Sequence, residues 1–455
     1  MKRKLLSAII IAVTMLAASQ PAAAQQRYIV RTTGGLNSVL NLCLSANCQV
    51  QGSLDGPIGQ TYLVTTTGNI LQTLVGGVVN LLEALLGIQS VEPDHPLPIP
   101  LPPINNVPYG LTDTTLVKYF GTVVTHGYAT QPAGQIIRLT DARNGFGVTG
   151  AGIVAVIDTG VDIYHPALAP ILLPGYDFTR NQPGASEWLD MPQLNSPTST
   201  EQTSSQQSGV VQQQSAAILD QQSAAILDGQ PCGAFGHGTM TSGVVHLVAP
   251  HAKILPLKAF SSNGTGYLSN IIAALYYAVQ HNANAVNMSF DLSTPSPGLS
   301  QAVSYANHAN VVLVAAAGNE NTSASVYPAA INGYVMGIAS TTDWDSRSSF
   351  SNYGSADVWI AAPGEYVIST FPGGGYAAAS GTSFSSPLAA GTVALLLNAK
   401  SGLNQSQAAS ALSHGRLLTP DLNHGRLDAY QAISAWVNSS SSSSSTSSSC
   451  FLLCL

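Results

Sequence analysis

Three residues that together could catalyse acyl transfer lie in separate small-residue motifs of this chain. Asp158 ends an apolar run, His237 lies between two glycines, and Ser383 follows Gly381 and Thr382. A serine hydroxyl is a weak nucleophile at neutral pH unless a histidine accepts its proton, and a carboxylate must fix the tautomer of that histidine. The chain order acid, base, nucleophile is one of three known for this geometry. The sequence therefore predicts a nucleophilic site built from these three residues.

The elements that position these residues are predicted from hydrophobic patterning. Continuous apolar runs alternate with helix-like segments from 135 to 437. Strands are predicted at 153–157, 254–257, 285–288 and 311–315, and helices at 239–247, 269–280 and 382–398. This alternation indicates an α/β fold in three layers, with a mostly parallel central sheet flanked by helices. Asp158 and Asn319 follow predicted strands, where open α/β sheets bind their ligands.

The three motifs resemble those of the subtilisin-like serine proteases, the subtilase family (peptidase family S8). The resemblance extends from about 148 to 430 and is carried by the segments around Asp158, His237 and Ser383. It implies a subtilisin-like fold and a serine endopeptidase that works through an Asp-His-Ser triad and an acyl-enzyme intermediate. In that reading His237 is the general base, Asp158 orients it, and Ser383 is the nucleophile near the start of its helix. Pro387 is expected in the first helical turn, where its missing N–H costs little.

The same resemblance implies residues that bind the substrate. Asn319 resembles the asparagine that stabilises the oxyanion, together with the N–H of Ser383. Two segments resemble the edges of the substrate cleft, and a third position lies near the floor of the specificity pocket: Gly264, Thr265 and Gly266; Ser289, Phe290 and Asp291; and Val326. Asp291 and Val326 stand where the family often has glycine. This departure predicts a shallow pocket that prefers small side chains before the scissile bond.

No metal or other cofactor is predicted. After the His237 helix the chain passes directly through Leu247 to Pro250, where many subtilases insert a calcium-holding loop. No EF-hand spacing and no zinc-like Cys/His spacing occurs. Asp162, Asp177 and the acidic positions between 187 and 228 remain as alternative calcium ligands.

The amino-acid composition argues against nucleic acid as a partner. The chain has 455 residues, 45% apolar and only 8% charged, with a formal net charge of −7. Nucleic-acid binding requires a basic surface, which this chain lacks. The expected partners are polypeptide substrates and the chain's own propeptide, acting as an intramolecular inhibitor.

The N-terminus has the pattern of a secretory signal peptide. Lys2, Arg3 and Lys4 precede an apolar stretch at 5–18, which is followed by three alanines at 22–24. The stretch is shorter than the roughly 20 residues that a membrane-spanning helix needs. The predicted protein is therefore secreted, to the extracellular space or the periplasm, and keeps no stable membrane span once the signal is removed.

Changes in composition divide the chain further. Residues 25–95 predict a small α+β propeptide, because strand-like segments flank a one-sided apolar stripe and 88–94 resembles the last strand of inhibitory subtilisin propeptides. The predicted domains are the signal peptide 1–24, the propeptide 25–95, a Pro-rich linker and connecting segment 96–134, the catalytic domain 135–437, and a disordered Ser-rich tail 438–455. A low-complexity insert at about 180–230 contains a tandem octapeptide and is predicted to be a surface loop.

The five cysteines fit an oxidising compartment without forming a disulfide scaffold. Cys43 and Cys48 are close enough in sequence to pair, as are Cys450 and Cys454. Cys232 is then left over, either as a buried inert thiol or as a thiol lining the active site.

The same residues also allow other functions to be considered. The triplet beginning at Asp158 is also the signature of aspartic proteases, but those enzymes need two such carboxylates and no second triplet occurs. The glycine pattern at 150–155 runs into a strand instead of following one, which argues against dinucleotide binding. A catalytically inactive protein with the same fold, and an acyl-transfer enzyme that cyclises peptides, are the alternatives kept open.

Overall fold

The computed structural model describes residues 25–67, 70, 87–98, 109–191 and 233–439. The residues outside the description include the predicted signal peptide, the one-sided apolar stripe of 25–95, the octapeptide repeats, Cys232, and the Ser-rich tail with Cys450 and Cys454. The chain divides into two compact units, 1–95 and 96–455, which are described separately. Among the described residues, no helix combines the length and the apolar character needed to cross a bilayer.

The first unit is a four-stranded antiparallel sheet with one described helix packed on it. Its elements are β1 (Gln26–Thr32), α1 (Gly35–Ala46), β2 (Cys48–Ser53), β3 (Thr61–Thr66) and β4 (Ile88–Pro93), with the strand order β2-β3-β1-β4. Tyr28 and Val30 alternate toward a core that also contains Val39 and Leu42 of α1. Cys43 and Cys48 form a disulfide that joins the end of α1 to the start of β2.

The second unit contains a central eight-stranded sheet. Its strands are β8 (Ile153–Asp158), β9 (Tyr176–Asp177), β10 (Gln182–Pro183), β11 (Lys253–Lys258), β13 (Ala285–Met288), β14 (Val312–Ala316), β15 (Met336–Thr341) and β16 (Ile360–Pro363). Their order is β10-β9-β11-β8-β13-β14-β15-β16, and every pairing is parallel except that of β9 with β10. Because helices cover both faces, the central strands are apolar throughout, which is the pattern that the sequence displays.

Helices of the second unit lie on both faces of this sheet. They are α2 (His126–Thr130), α3 (Pro132–Ile136), α4 (Leu139–Phe146), α5 (His237–Val248), α6 (Leu268–Gln280), α7 (Pro297–His308), α8 (Thr382–Ala399), α9 (Gln405–Leu412) and α10 (Ala429–Asn438). α5 and α8 pack together in one core cluster with α4 and α10, while α6 and α7 pack against each other and against strands of the sheet. The residues of α8 from Thr382 to Leu396 are all buried, and this central position matches its apolar character on every side. The predicted three-layer α/β architecture is confirmed.

The segment 96–134, predicted as a Pro-rich linker and connecting segment, contains strands and helices. Pro96–Pro98 forms a short strand, β5, which pairs antiparallel with β12 (Thr265–Tyr267). Farther along, β6 (Leu116–Tyr119) and β7 (Thr122–Thr125) form a hairpin, and β17 (Val367–Phe371) and β18 (Gly375–Ala379) form a second one. The first hairpin packs on α5. Its Tyr119 is buried and donates its hydroxyl to the main-chain oxygen of Leu247 at 2.5 Å.

Candidate active site

Asp158 and His237 are in direct contact. Asp158 is the last residue of β8 and His237 the first residue of α5. The Nδ1 atom of His237 lies 2.7 Å from Oδ1 of Asp158, and both side chains are about 1% exposed. Asp158 also accepts the N–H of Thr159 at 2.7 Å and the hydroxyl of Thr241 at 3.1 Å. With these donors the carboxylate is the acceptor in the pair, which places the proton on Nδ1 and leaves Nε2 as a basic nitrogen.

Small residues allow β8 and α5 to approach so closely. A Cβ atom at Gly238 would lie 2.1 Å from the main-chain oxygen of Gly160 and 3.1 Å from Cβ of Asp158. Gly160 itself has φ +105°, a conformation that residues with side chains rarely adopt. The glycines next to Asp158 and His237 in sequence are therefore what permits the contact between the two functional side chains.

Ser383 is the second residue of α8 and is 1% exposed. The ring of Phe384, the next residue, lies 5.6 Å from the ring of His237. The hydroxyl of Ser383 donates to the main-chain oxygen of Ser289 at 3.3 Å. Nε2 of His237 is buried and makes no hydrogen bond with any described residue. The structure thus brings the three predicted residues into one region, with the Asp158–His237 bond formed and the Ser383–His237 bond not formed.

Pro387 lies in the second turn of α8 because the helix begins at Thr382, and not in the first turn as predicted. A proline cannot donate to the carbonyl four residues before it, which here is that of Ser383. The hydroxyl of Ser289 donates to that carbonyl at 2.9 Å and takes the place of the missing N–H. Asn287 in turn donates to the Ser289 hydroxyl at 2.9 Å. The proline and these two polar residues tie the start of α8 to the end of β13.

Asn319 lies three residues beyond the end of β14, beside the start of α8. Its Oδ1 atom accepts both the N–H of Thr382 at 2.9 Å and the hydroxyl of Thr382 at 3.0 Å. These two bonds fix the orientation of the amide, so that Nδ2 is on the edge turned away from the Thr382 donors. Asn319 is therefore held next to Ser383 with a defined donor edge.

The residues predicted to bind substrate lie on two adjacent segments. Thr265 and Gly266 belong to β12, and Gly264 makes the turn before it with φ +79°. Ser289 and Phe290 follow β13 and are buried. The rings of Phe260 and Phe290 lie 5.2 Å apart and connect the two sides.

Val326 lies beside the segment that contains Ser289 and Phe290. Leu292 and Tyr327 exchange two main-chain hydrogen bonds, of 2.7 and 2.8 Å, which places Val326 next to the segment that follows β13. Its N–H donates to the buried carboxylate of Asp357 at 3.1 Å.

Asp291 carries a carboxylate with no hydrogen bond to any described residue at its buried Oδ2 atom. Burial, and then the nearby charge of Glu320, raise the pKa of Asp291 to about 7. The folded protein therefore holds the proton of Asp291 more tightly than the unfolded chain does. Because the folded state binds more protons between about pH 4 and pH 7, this residue makes stability fall as the pH rises through that window.

Replacing Asp291 by asparagine is expected to stabilise the protein at pH 8 and to change its stability little at pH 4. The substitution removes a charge that is costly to bury, and the gain at pH 8 should be on the order of 4 kcal/mol. Urea unfolding of both proteins at pH 4 and pH 8, in a Ser383→Ala background that prevents self-digestion, measures the difference. An equal shift at the two pH values would contradict the assigned cause.

Two of the carboxylates left open as calcium ligands, those of Asp162 and Asp177, are used within the protein. Asp162 accepts the N–H of Tyr164 at 3.0 Å, the indole N–H of Trp188 at 3.1 Å and the N–H of Gly373 at 2.9 Å. Asp177 is fully buried and pairs with Arg180 at 3.0 Å. Within the part of the chain that the structure describes, no group of three potential metal ligands occurs.

Glu187 was not predicted as part of the active site. The sequence places it in the low-complexity insert, among the acidic positions left open as calcium ligands, whereas the structure has it in a 3-10 turn, Glu187–Asp190, with the carboxylate buried beside Thr159 and Gly238. The only local signal is an acid followed by Trp188 and Leu189, an apolar pair within a polar stretch.

Comparisons with known proteins agree with this geometry. The family model described as "Subtilase family" matches residues 150–430. A thermophilic serine proteinase of Bacillus sp. (strain AK1) is 31% identical over 299 residues, which cover 62% of this chain and 61% of that protein. Thermitase of Thermoactinomyces vulgaris is 30% identical over 292 residues, covering 62% of this chain and 88% of thermitase. Subtilisin DY of Bacillus licheniformis is 36% identical over 191 residues, covering 39% and 69% of the two chains.

The parallel sheet, the Asp158–His237 pair and the match over 150–430 define a serine-type endopeptidase unit. The chain belongs to the subtilase family.

Proposed function

We propose that this protein is a secreted serine endopeptidase that hydrolyses peptide bonds through Asp158, His237 and Ser383. The observation that carries the proposal is the 2.7 Å contact between Asp158 and Nδ1 of His237, with Nε2 of His237 buried and without a hydrogen bond among the described residues. A basic nitrogen held in this way is suited to accept a proton from a hydroxyl in the same region.

The reaction begins with a rotation of Ser383 about χ1. The rotation exchanges the 3.3 Å bond to the Ser289 oxygen for a bond to Nε2 of His237. As Oγ attacks the substrate carbonyl, His237 takes its proton and Asp158 stabilises the imidazolium that forms. His237 then returns the proton to the leaving amine, which gives an acyl-enzyme. Water, activated by the same histidine, hydrolyses that ester and restores Ser383.

Asn319 and the N–H of Ser383 stabilise the oxyanion in this proposal. The two bonds from Thr382 to Oδ1 of Asn319 hold the amide before the reaction starts, so little reorganisation is needed when charge develops. The N–H of Ser383 lies in the first turn of α8, where N–H groups have no partner within the helix.

Replacing Asn319 by alanine is expected to lower kcat by about 10²–10³-fold with little change in KM; subtilisin is itself the enzyme in which the loss of such a donor was shown to have this size. Steady-state kinetics on a peptide anilide measure the change. An effect confined to KM would contradict a role in the transition state.

We propose that the substrate binds as an extended strand between β12 and the segment 289–291. The antiparallel pairing of Pro96–Pro98 with Thr265–Tyr267 supports this proposal, because it is an extended peptide added to that edge by main-chain hydrogen bonds. Such binding tolerates many sequences, while Asp291 and Val326 make the specificity pocket shallow. Cleavage of a peptide library should favour small residues before the scissile bond, and a preference for large aromatic residues would contradict this.

The protein is proposed to be made as a zymogen, with 25–95 assisting folding and inhibiting the cleft. The strand β5 follows that segment directly along the chain and lies on the proposed substrate edge. Processing is expected to leave a new N-terminus between about 95 and 135. Edman sequencing of secreted protein tests this, and an intact residue 25 on active enzyme would contradict it.

The central experiment combines a fluorophosphonate probe with casein hydrolysis. An active peptidase labels at Ser383 and releases peptides, whereas an inactive protein of the same fold does neither. Mass spectrometry of the products separates hydrolysis from acyl transfer, since cyclised products lack the mass of one water.

A further inference from the structure

Glu187 connects the two elements that carry Asp158 and His237. Its Oε1 atom accepts the hydroxyl of Thr159 at 2.5 Å and the N–H of Gly238 at 3.0 Å. The same carboxylate accepts the N–H and the hydroxyl of Thr239, at 3.3 and 2.9 Å. Thr159 directly follows Asp158, and Gly238 directly follows His237. One side chain, 1% exposed, thus binds the backbone or hydroxyl groups next to both residues.

The contacts of Glu187 fit an ionised carboxylate. All four groups that contact it are donors in these bonds, and a carboxylate is an acceptor at both oxygens. Two of them are N–H groups in the first turn of α5, where the helix has no internal partners for them and favours negative charge. The pKa of Glu187 is raised, chiefly by burial and to a smaller extent by the charge of Asp158, while the Thr159 and Thr239 hydroxyls and the charge of Lys258 act in the opposite direction.

Other charged groups near this position are already paired. Lys258 is fully buried and donates to Asp190 at 2.6 Å and to the main-chain oxygens of Thr159 and Phe260, both at 2.7 Å. Asp162 is bound by three N–H donors. Among the described residues, Asp158 and Glu187 are therefore the two carboxylates bound to the start of α5 by direct hydrogen bonds.

We propose that Glu187 is a positioning residue for the catalytic pair: it fixes the start of α5 against the end of β8 and adds a second negative charge that favours the imidazolium form of His237. The inference rests on the proposed function. It gives the turn before the long insert a role in catalysis, because the geometry of His237 relative to Asp158 depends on a side chain from that turn. A misplacement of about 1 Å can cost about 100-fold in rate.

Glu187→Gln is the main test, because glutamine keeps the shape and most of the hydrogen bonds while it removes the charge. We expect kcat to fall about 10- to 100-fold with KM within about 2-fold of wild type. The acidic limb of the kcat/KM profile should move to lower pH, because the variant lacks a negative charge that stabilises an imidazolium beside it. Glu187→Asp should retain the position of that limb.

Asp177→Asn provides the matched control, as Asp177 is a fully buried carboxylate on β9 that contacts Thr179 and Arg180 and has no role in the proposed mechanism. It should destabilise the protein without moving the acidic limb. Thermal unfolding of each variant, and imidazole titration by NMR in a Ser383→Ala background, separate catalysis from stability. If Glu187→Gln is folded and keeps the wild-type kcat and His237 titration, the inference is overturned. It is equally overturned if Glu187→Gln and Asp177→Asn change in parallel.

The outcomes also separate this inference from the proposed function. A wild-type protein that neither reacts with the fluorophosphonate probe nor hydrolyses casein contradicts the function itself. An active wild type with an unaffected Glu187→Gln variant contradicts the role of Glu187 alone.

Discussion

Ser383→Ala is expected to lower kcat for peptide hydrolysis by about 10⁶-fold while the protein stays folded; subtilisin is the enzyme for which a loss of this size is established, and we adopt it from there. The hydroxyl makes one hydrogen bond in the resting structure, at 3.3 Å, so its removal costs little stability. Kinetics on a peptide anilide, with circular dichroism to check folding, measure the effect. Fluorophosphonate labelling should disappear with it.

A matched serine on the same helix controls for the loss of a buried hydroxyl. Ser385 is fully buried and donates to the main-chain oxygens of Ala362 and Pro363, at 3.0 and 3.2 Å, on the side of β16. Ser385→Ala should keep its activity within a few-fold of wild type and should still be labelled. If Ser383→Ala and Ser385→Ala lost activity to the same extent, Ser383 would have no special role as nucleophile.

The second large effect is expected for Asp158→Asn, with kcat reduced by about 10⁴-fold, the size of loss that this substitution produces in another triad protease by selecting the wrong tautomer. Asp158 accepts the Nδ1 proton of His237 at 2.7 Å. An asparagine amide can donate at the same place. The imidazole proton would then lie on Nε2, and a protonated Nε2 cannot accept the hydroxyl proton of Ser383. The reaction rate with the fluorophosphonate probe should fall together with kcat.

The fold of Asp158→Asn should be preserved, because Thr241 still has an oxygen to which it can donate and only the N–H of Thr159 loses its acceptor. NMR of the imidazole should show the proton moving from Nδ1 to Nε2. A variant with more than a tenth of the wild-type activity would contradict the assignment of Asp158 as the residue that orients His237.

The four central strands of the sheet were predictable because they are buried on both faces, whereas β9, β10, β15 and β16 were not predicted. Uninterrupted apolar runs identified β13 at its observed bounds and β8, β11 and β14 to within a residue or two at either end. Once the strands are parallel, their carboxyl ends share one edge. Asp158 and Asn319 were therefore expected on the same side of the molecule, and the structure has them there.

Other features depend on contacts that local patterns do not contain. The rotamer of Ser383 is set by the Ser289 oxygen, which is 94 residues away along the chain. The Ser383 carbonyl, to which Pro387 cannot donate, is bound by the hydroxyl of Ser289, which is equally distant along the chain. Glu187 was assigned to a polar insert because its partners, Thr159 and Gly238, lie in other elements. Hydrophobic periodicity indicates which face of a helix or strand is buried. It does not indicate which polar group, distant in sequence, forms a hydrogen bond with a residue on that face.

Because β5 pairs with β12, a substrate strand would have to displace β5 in order to bind at β12. A strand that belongs to the same chain is present at an effective concentration in the millimolar range, when its connection is short and flexible. A free peptide at micromolar concentration is then outcompeted even if both bind equally well. A single cut between β5 and the rest of the second unit would end this intramolecular advantage, because β5 would then compete at its ordinary solution concentration. The increase in accessible enzyme would come from entropy and would need no change of conformation.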